Sequence, residues 1–134
     1  MTDQIQLLQF LICKEFREQG GDAFIADAVK SNIYAPKFPY YFEKLHAVTC
    51  WRKDNRFHKE VIEYSTDYGT AVKSHHMDIE PAKGSVVFRW HAHQFPSTFE
   101  IEKPTTLTIR VILDWEVLFE TYMMIEGQPG VIAF

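Results

Sequence analysis

The segment TTLTIRVILDWEVLFETYMMI, residues 105–125, constrains the fold more than any other part of the chain. In its first half, Leu107, Ile109, Val111 and Leu113 share one face of a strand, and the residues between them face the other way. A short turn at DWE separates this run from a second apolar run. The segment therefore predicts a terminal β-hairpin.

The chain before this hairpin carries further alternating runs separated by turn signals. A loop is expected over residues 78–84, and the DYG turn ending at Gly69 is typical of a hairpin. Short strands with a turn signal about every ten residues indicate an antiparallel β-sandwich of about seven or eight strands. The runs predicted as strands are residues 45–52, 58–66, 70–76 and 85–95.

Residues 5–17 are compatible with two structures. Their apolar residues fit one face of a helix, and they also fit a strand with one interruption at Lys14. The Gly-Gly pair at residues 20–21 and the β-favouring residues that follow are typical of a hairpin. A strand is therefore favoured over a helix here.

Length and charge limit the class of protein. A chain of 134 residues makes one domain, residues 1–134, in which residues 126–134 form a C-terminal tail. The net charge is −4 without any cluster of lysine and arginine, which argues against nucleic acid as a partner. No apolar run approaches the length of a membrane span, so no membrane partner is expected.

The two cysteines and the N-terminal residues favour a cytoplasmic location. Cys13 and Cys50 lie in strand-like runs, and neither has a second cysteine at zinc-site spacing, so two buried, reduced thiols are expected. Asp3 stands where a signal peptide would carry a basic residue. These features together predict a cytoplasmic protein.

The order of these elements resembles a group of short, uncharacterised bacterial β-sandwich domains. The motifs that carry the resemblance are LLQFLIC, the GGDAFIADAV hairpin, the APKFP crossing, the alternating pair split by DYG, and the final hairpin with its Asp. The resemblance spans roughly residues 7–125. It implies an immunoglobulin-like sandwich and carries over no activity or functional residues.

The segment FRWHAHQF, residues 88–95, is the best candidate for chemistry. On a strand His91 and His93 project to one face, which would let them share a zinc or iron ion, and the pair resembles the first motif of cupins. However, the glycine and glutamate spacings of that motif differ, and no histidine follows residue 100. Alternation places Val86, Phe88, Trp90 and Ala92 on the apolar face and the histidines with Arg89 on the solvated face.

Arg89 also puts a positive charge beside the histidines, which discourages a divalent cation. The sequence therefore favours surface histidines, with a small cupin-like metal enzyme using His91 and His93 as the alternative.

Candidate surfaces for a ligand or partner come from exposed aromatic and apolar residues. Tyr40 and Tyr41 follow two prolines in a crossing segment, where capping of the core is the favoured interpretation. Trp115 lies in a tight turn and could stack on a sugar ring. The tail ends in apolar residues, among them Val131, Ile132 and Phe134, that would cover its own core or add to a partner's sheet edge.

These observations predict an all-β, immunoglobulin-like sandwich from a bacterial cytoplasm. Its expected role is non-catalytic, without a cofactor, and its expected partner is a second copy or another protein. The metal enzyme and a carbohydrate-binding module are the alternatives.

Overall fold

The computed structural model describes residues 4–20 and 23–129, and within them every regular element is a β-strand. None of these residues belongs to a helix long and apolar enough to cross a membrane. The ten strands are β1 (Gln6–Glu18), β2 (Phe24–Val29), β3 (Asn32–Ala35), β4 (His46–Arg52), β5 (His58–Ser65), β6 (Ala71–Lys73), β7 (Met77–Ile79), β8 (Phe88–Gln94), β9 (Thr105–Leu113) and β10 (Glu116–Gly127).

The strands form two sheets. The smaller sheet has the order β2-β1-β4-β8, and the larger has the order β3-β10-β9-β5-β6, with β7 pairing with β5. All neighbours pair antiparallel except β3 and β10, which are parallel. Contacts such as the ring pair of Phe10 on β1 and Phe119 on β10, 5.4 Å apart, bring the two sheets face to face.

Alternate residues of β9 are apolar and face the core, as the sequence predicts. Leu107, Ile109, Val111 and Leu113 are buried, while the residues between them lie on the outer face of the larger sheet. The terminal hairpin is confirmed as β9 and β10, and its turn is at Asp114 and Trp115. The all-β, two-sheet architecture is thus confirmed.

The expected N-terminal hairpin is also confirmed, because β1 and β2 pair antiparallel. The distal part of this hairpin covers the outer face of the smaller sheet, where Phe16 and Phe24 lie 5.5 and 5.2 Å from the ring of Trp90 on β8. This cover explains why Val48 and Cys50, on the same side of β4, are buried. Cys13 and Cys50 are both buried and free, as expected.

Several boundaries differ from the prediction. Within the described residues ten strands form instead of seven or eight, because β3 pairs with β10 and β7 with β5 as additional short strands. The expected loop at residues 78–84 begins with two residues of β7, and the strand predicted over residues 85–95 is shortened to β8.

The crossing segment caps one end of the core, as favoured from its sequence. Phe42 is buried with its ring 5.0 Å from that of Phe95, and Phe38 and Tyr40 pack partly buried against the same cluster. Tyr41 is instead exposed, and its hydroxyl donates a hydrogen bond of 2.8 Å to Glu100 Oε1.

Candidate functional site

His91 and His93 point into the space between the sheets, so the prediction that they face solvent was wrong. Their side chains are 5% and 1% exposed, whereas Phe88, assigned to the apolar face, is exposed. The alternation of β8 was detected but its two faces were exchanged. The physical reason is that Trp90 packs under the β1–β2 hairpin on the outer face, and a buried carboxylate on the inner face compensates the histidines.

That carboxylate belongs to Glu60 on β5, which is 0% exposed and lies on the opposite sheet. Its Oε1 is 2.6 Å from His91 Nδ1 and 3.0 Å from His93 Nε2. Its Oε2 accepts a hydrogen bond of 2.9 Å from Trp51 Nε1 on β4. We call Glu60, His91 and His93 the inner cluster, and it joins the two sheets across the core.

The partners of His91 define which of its ring nitrogens carries the proton. Arg89 Nε donates to His91 Nε2 at 3.1 Å, so Nε2 carries a lone pair and the proton lies on Nδ1, which donates to Glu60. Both ring nitrogens of His91 are therefore engaged.

His93 differs from His91 in this respect. Its Nε2 is 3.0 Å from Glu60 Oε1, and its Nδ1 has no hydrogen-bond partner. A buried polar atom without a hydrogen bond is uncommon and calls for an explanation.

The electrostatics of the inner cluster favour an ionised carboxylate. Burial alone would raise the pKa of Glu60, but the hydrogen bond from His91 and the contact with His93 outweigh it and hold the pKa at about 2. Burial, together with the negative charge of Glu60, raises the pKa of the nearby Tyr64 hydroxyl. Glu60 is thus a buried anion at neutral pH.

A second cluster of the same residue types lies at the end of the sandwich near the β9–β10 turn. His58 Nδ1 is 2.6 Å from Asp114 Oδ2, and His58 Nε2 is 2.8 Å from Asp54 Oδ1. Asp54 also accepts backbone hydrogen bonds from Ile5 and Arg56, and Asp114 accepts one from Lys59. We call Asp54, His58 and Asp114 the rim cluster.

The rim cluster holds its histidine between two acids. Burial would lower the pKa of His58, but the hydrogen bonds to Asp114 and Asp54 outweigh it and raise the pKa. Burial would likewise raise the pKa of both aspartates, whereas their hydrogen bonds and the charge of His58 lower it. His58 thus has both nitrogens donating to carboxylates, which leaves none free for a ligand.

Trp115, a candidate from the sequence, lies exposed at the β9–β10 turn. Its side chain is 85% exposed, and a pocket of about 270 Å³ lies beside it with Val61 and Ile112 among its lining residues and Lys59, Lys73 and His76 at its side. Trp115 has a φ of 69°, a left-handed conformation that is strained for a bulky residue. An Asp-Gly pair is the usual occupant of such a turn.

Apolar residues continue from Trp115 along the outer face of β10. Val117 pairs with Ile112 of β9, which pairs with Val61 of β5, so these three form an apolar row across the sheet. Tyr122 and Met124 lie further along β10 on the same face and are exposed. We call Trp115, Val117, Tyr122 and Met124 the outer stripe.

The other sequence candidates do not join this surface. Tyr40 forms an isolated bridge with Ile101, which precedes β9, and the nine residues of β9, about 30 Å, separate that end of the sandwich from Trp115. Val131, Ile132 and Phe134 lie outside the described residues.

Sequence reasoning missed Glu60, Asp54 and His58, and it gave Asp114 no role beyond the turn. One signal was present in the sequence: His58 and Glu60 occupy the same alternating face of β5 as the apolar Ile62 and Tyr64. Two titratable residues in an inward row indicate a buried polar cluster. Their partners are 31 and 56 residues away, and no spacing indicates them.

Cys13 and Cys50 lie outside both clusters. Burial is the main cause that raises the pKa of each thiol, which suppresses the reactive thiolate. Neither cysteine is therefore a candidate nucleophile.

Comparison with known proteins adds no further assignment: no family model, no curated protein and no solved structure matches the chain.

Proposed function

We propose that this chain is a non-catalytic, immunoglobulin-like binding domain that associates with a second copy of itself through the outer stripe. The observation that carries the proposal is the run of large apolar side chains facing water along β10, headed by Trp115. The ion-paired Glu120 lies between Val117 and Tyr122 on this face, so the exposed apolar surface has two parts. Large exposed apolar side chains on a folded domain mark an interaction site.

The strand order supports the immunoglobulin-like part of the proposal. In immunoglobulin domains one sheet contains strands A, B, E and D, and the other contains C, F and G, with C′ added in variable-type domains. Here β1-β4-β8 follows the order A-B-E, and β10-β9-β5-β6 follows G-F-C-C′. Among the described residues no strand takes the place of D, and β2 extends the sheet beyond β1 instead.

Two features of the outer stripe favour a second copy as the partner. First, Trp115 protrudes next to a pocket whose apolar part is Val61 and Ile112, so each copy offers both a projecting ring and a recess for one. A two-fold contact requires such a self-complementary surface. Second, aromatic and apolar surfaces are enriched in homodimer interfaces.

The charges on this face support the same partner. Arg110, in the row next to the apolar one, bonds to Glu63 at 3.1 Å and to Glu120 at 2.6 Å. The charge of Arg110 is already paired within one copy, so Arg110 adds no unpaired charge to a contact with a like surface.

The backbone at Trp115 supports a role beyond folding. A tryptophan in the left-handed region is strained by about 1 to 2 kcal/mol, and such strain clusters at functional sites. An exposed ring in a strained position contributes little to the stability of its own domain.

The non-catalytic part of the proposal rests on the two clusters. The side chains of Glu60, His91 and His93 are at most 5% exposed, so a substrate has no access to them. In the rim cluster both nitrogens of His58 are occupied by carboxylates. A cytoplasmic location is proposed with support from the two buried free thiols, which fit a reducing compartment.

Sedimentation analysis of the untagged protein over a range of concentrations tests the proposal. The wild type is expected to dimerise, and Trp115→Gly and Tyr122→Ser are expected to be monomeric. Because Trp115→Gly creates the favoured Asp-Gly turn, its fold should be at least as stable as the wild type in thermal unfolding.

Phe88→Ser is the matched control, since Phe88 is an exposed aromatic residue of the other sheet. It should leave the dimer intact. A monomeric wild type at every concentration would refute the proposal. A dimer that survives both stripe variants but dissociates when residues 130–134 are deleted would refute the outer stripe and identify the tail as the contact.

A further inference from the structure

We propose that Glu60, His91 and His93 form an internal site for one divalent transition-metal ion, with zinc as the best-fitting ion, whose role is to lock the two sheets together. The ligand atoms are Glu60 Oε1, His91 Nδ1 and His93 Nε2. They come from β5 of one sheet and β8 of the other, and they lie within 4.8 Å of one another.

The distances fit a zinc site after a small expansion. Zinc bonds to imidazole nitrogen and carboxylate oxygen of about 2.0 to 2.2 Å in tetrahedral geometry place neighbouring ligand atoms about 3.4 Å apart. Glu60 Oε1 is 2.6 and 3.0 Å from the two nitrogens. A metal ion would need the two Glu60 contacts to open by less than about 1 Å, and it would bring the two histidine nitrogens, now within 4.8 Å of each other, to the same spacing.

The environment of His93 also points to a ligand. Its side chain is 1% exposed, its Nε2 is 3.0 Å from the Glu60 carboxylate, and its Nδ1 makes no hydrogen bond. A metal ion would bind Nε2 and would account for a polar site built inside an apolar core.

The surroundings of Glu60 suit a ligand. Trp51 donates to Oε2 at 2.9 Å and so fixes the orientation of the carboxylate with Oε1 towards the histidines. Hydrogen bonds of this kind orient the ligands in known metal sites. The mixture of two imidazoles and one carboxylate is a common ligand set for zinc.

Arg89 opposes metal binding at the site. Its side chain is exposed on β8, an edge strand of the smaller sheet, and its Nε donates to His91 Nε2. This contact keeps the proton on His91 Nδ1, so Arg89 must move before Nδ1 can bind a metal. Its positive charge also repels a cation. Removing Arg89 should therefore strengthen metal binding.

The burial of the site gives it a structural role. A catalytic zinc site keeps an open position for water or substrate, whereas a structural one is closed. The three ligands here leave the fourth tetrahedral position to a water molecule, and because they are at most 5% exposed a substrate cannot reach the ion.

Titration of chelator-treated protein with cobalt(II), followed by zinc competition against a chromophoric chelator, tests the site. The wild type should bind one equivalent and develop the visible absorption of a low-symmetry, near-tetrahedral cobalt ion. His93→Gln and Glu60→Gln should each weaken zinc binding by about a hundredfold or more. Arg89→Ala should strengthen it by about three- to tenfold.

His76→Gln is the control for adventitious binding, because His76 is an exposed histidine 3.6 Å from Asp78. It should leave the affinity unchanged. Absence of cobalt absorption in the wild type, retention of tight binding in His93→Gln, or weaker binding in Arg89→Ala would each overturn the proposal. If Glu60→Gln does not fold, as judged by circular dichroism, His93→Gln and the strengthening variant Arg89→Ala still decide the question.

Discussion

The inner and rim clusters combine the same side-chain types in opposite proportions. The inner cluster has two histidines on one carboxylate, and the rim cluster has one histidine between two carboxylates. In the rim cluster every ring nitrogen has a short hydrogen bond, whereas Nδ1 of His93 in the inner cluster has none. With two acids to one histidine, all ring nitrogens of the rim cluster are bonded. With two histidines to one acid, the inner cluster retains a ring nitrogen without a hydrogen bond.

The rim and inner clusters also differ in their location in the sandwich. The rim cluster ties the start of β5 to the β9–β10 turn and to the backbone of Ile5, and Asp114 is 41% exposed. The inner cluster lies wholly between the sheets. Solvent can therefore weaken the interactions of the rim cluster, while those of the inner cluster act in a low dielectric.

Loss of the inner carboxylate should have the largest effect on stability. Glu60→Gln removes the only anion in contact with His91 and His93 among the described residues, and breaking a buried pair in this way costs about 3 to 5 kcal/mol. Denaturant unfolding of metal-free protein measures the change. The matched control is Glu63→Gln, which lies on the same strand but faces outward and should cost less than about 1 kcal/mol. Equal losses in the two variants would contradict the assignment of a buried pair.

Loss of the rim histidine should have an intermediate effect. His58→Gln keeps some hydrogen bonding but leaves Asp54 and Asp114 without their shared positive charge, and we expect a loss of about 2 kcal/mol. In a double-mutant cycle, His58→Gln combined with Asp114→Asn should show coupling of about 1 kcal/mol or more. Additive effects would show that the two residues do not stabilise each other.

The acid dependence of stability should show the smallest effect. Because the pKa values of Asp54 and Asp114 are lowered below their ordinary value of 3.8, their contribution is complete above that pH and is lost as the pH falls through the folded-state values. Asp114→Asn should therefore be less stable than the wild type at neutral pH and approach it below pH 3.8. A stability difference that stays constant through the acid range would contradict this.

The elements of the fold could be predicted from the sequence because strand periodicity is local. The β9–β10 hairpin and the β1–β2 hairpin follow from alternation and turn residues that lie within a few positions of each other. The faces of β8 could not be assigned in this way. Both are covered, one by Phe16 and Phe24 and the other by Glu60, and each cover comes from a distant part of the chain.

The candidate sites depend on the same long-range pairing. His91 and His93 were identified as possible ligands, but their third partner is 31 residues from His91 on the opposite sheet. Trp115 was identified from its turn, whereas the apolar row beside it requires the register of three strands. Local sequence thus indicates candidate residues, and sheet pairing decides which of them meet.

A long-range proton–nitrogen spectrum of the histidine rings, recorded before and after one equivalent of zinc, tests the contrast between the clusters most directly. We expect His58 to show two protonated nitrogens near neutral pH and no change in its signals on zinc addition. We expect the signals of His91 Nδ1 and His93 Nε2 to shift to values typical of metal-bound imidazole. Zinc-induced shifts at His58, or unchanged signals at His91 and His93, would contradict it.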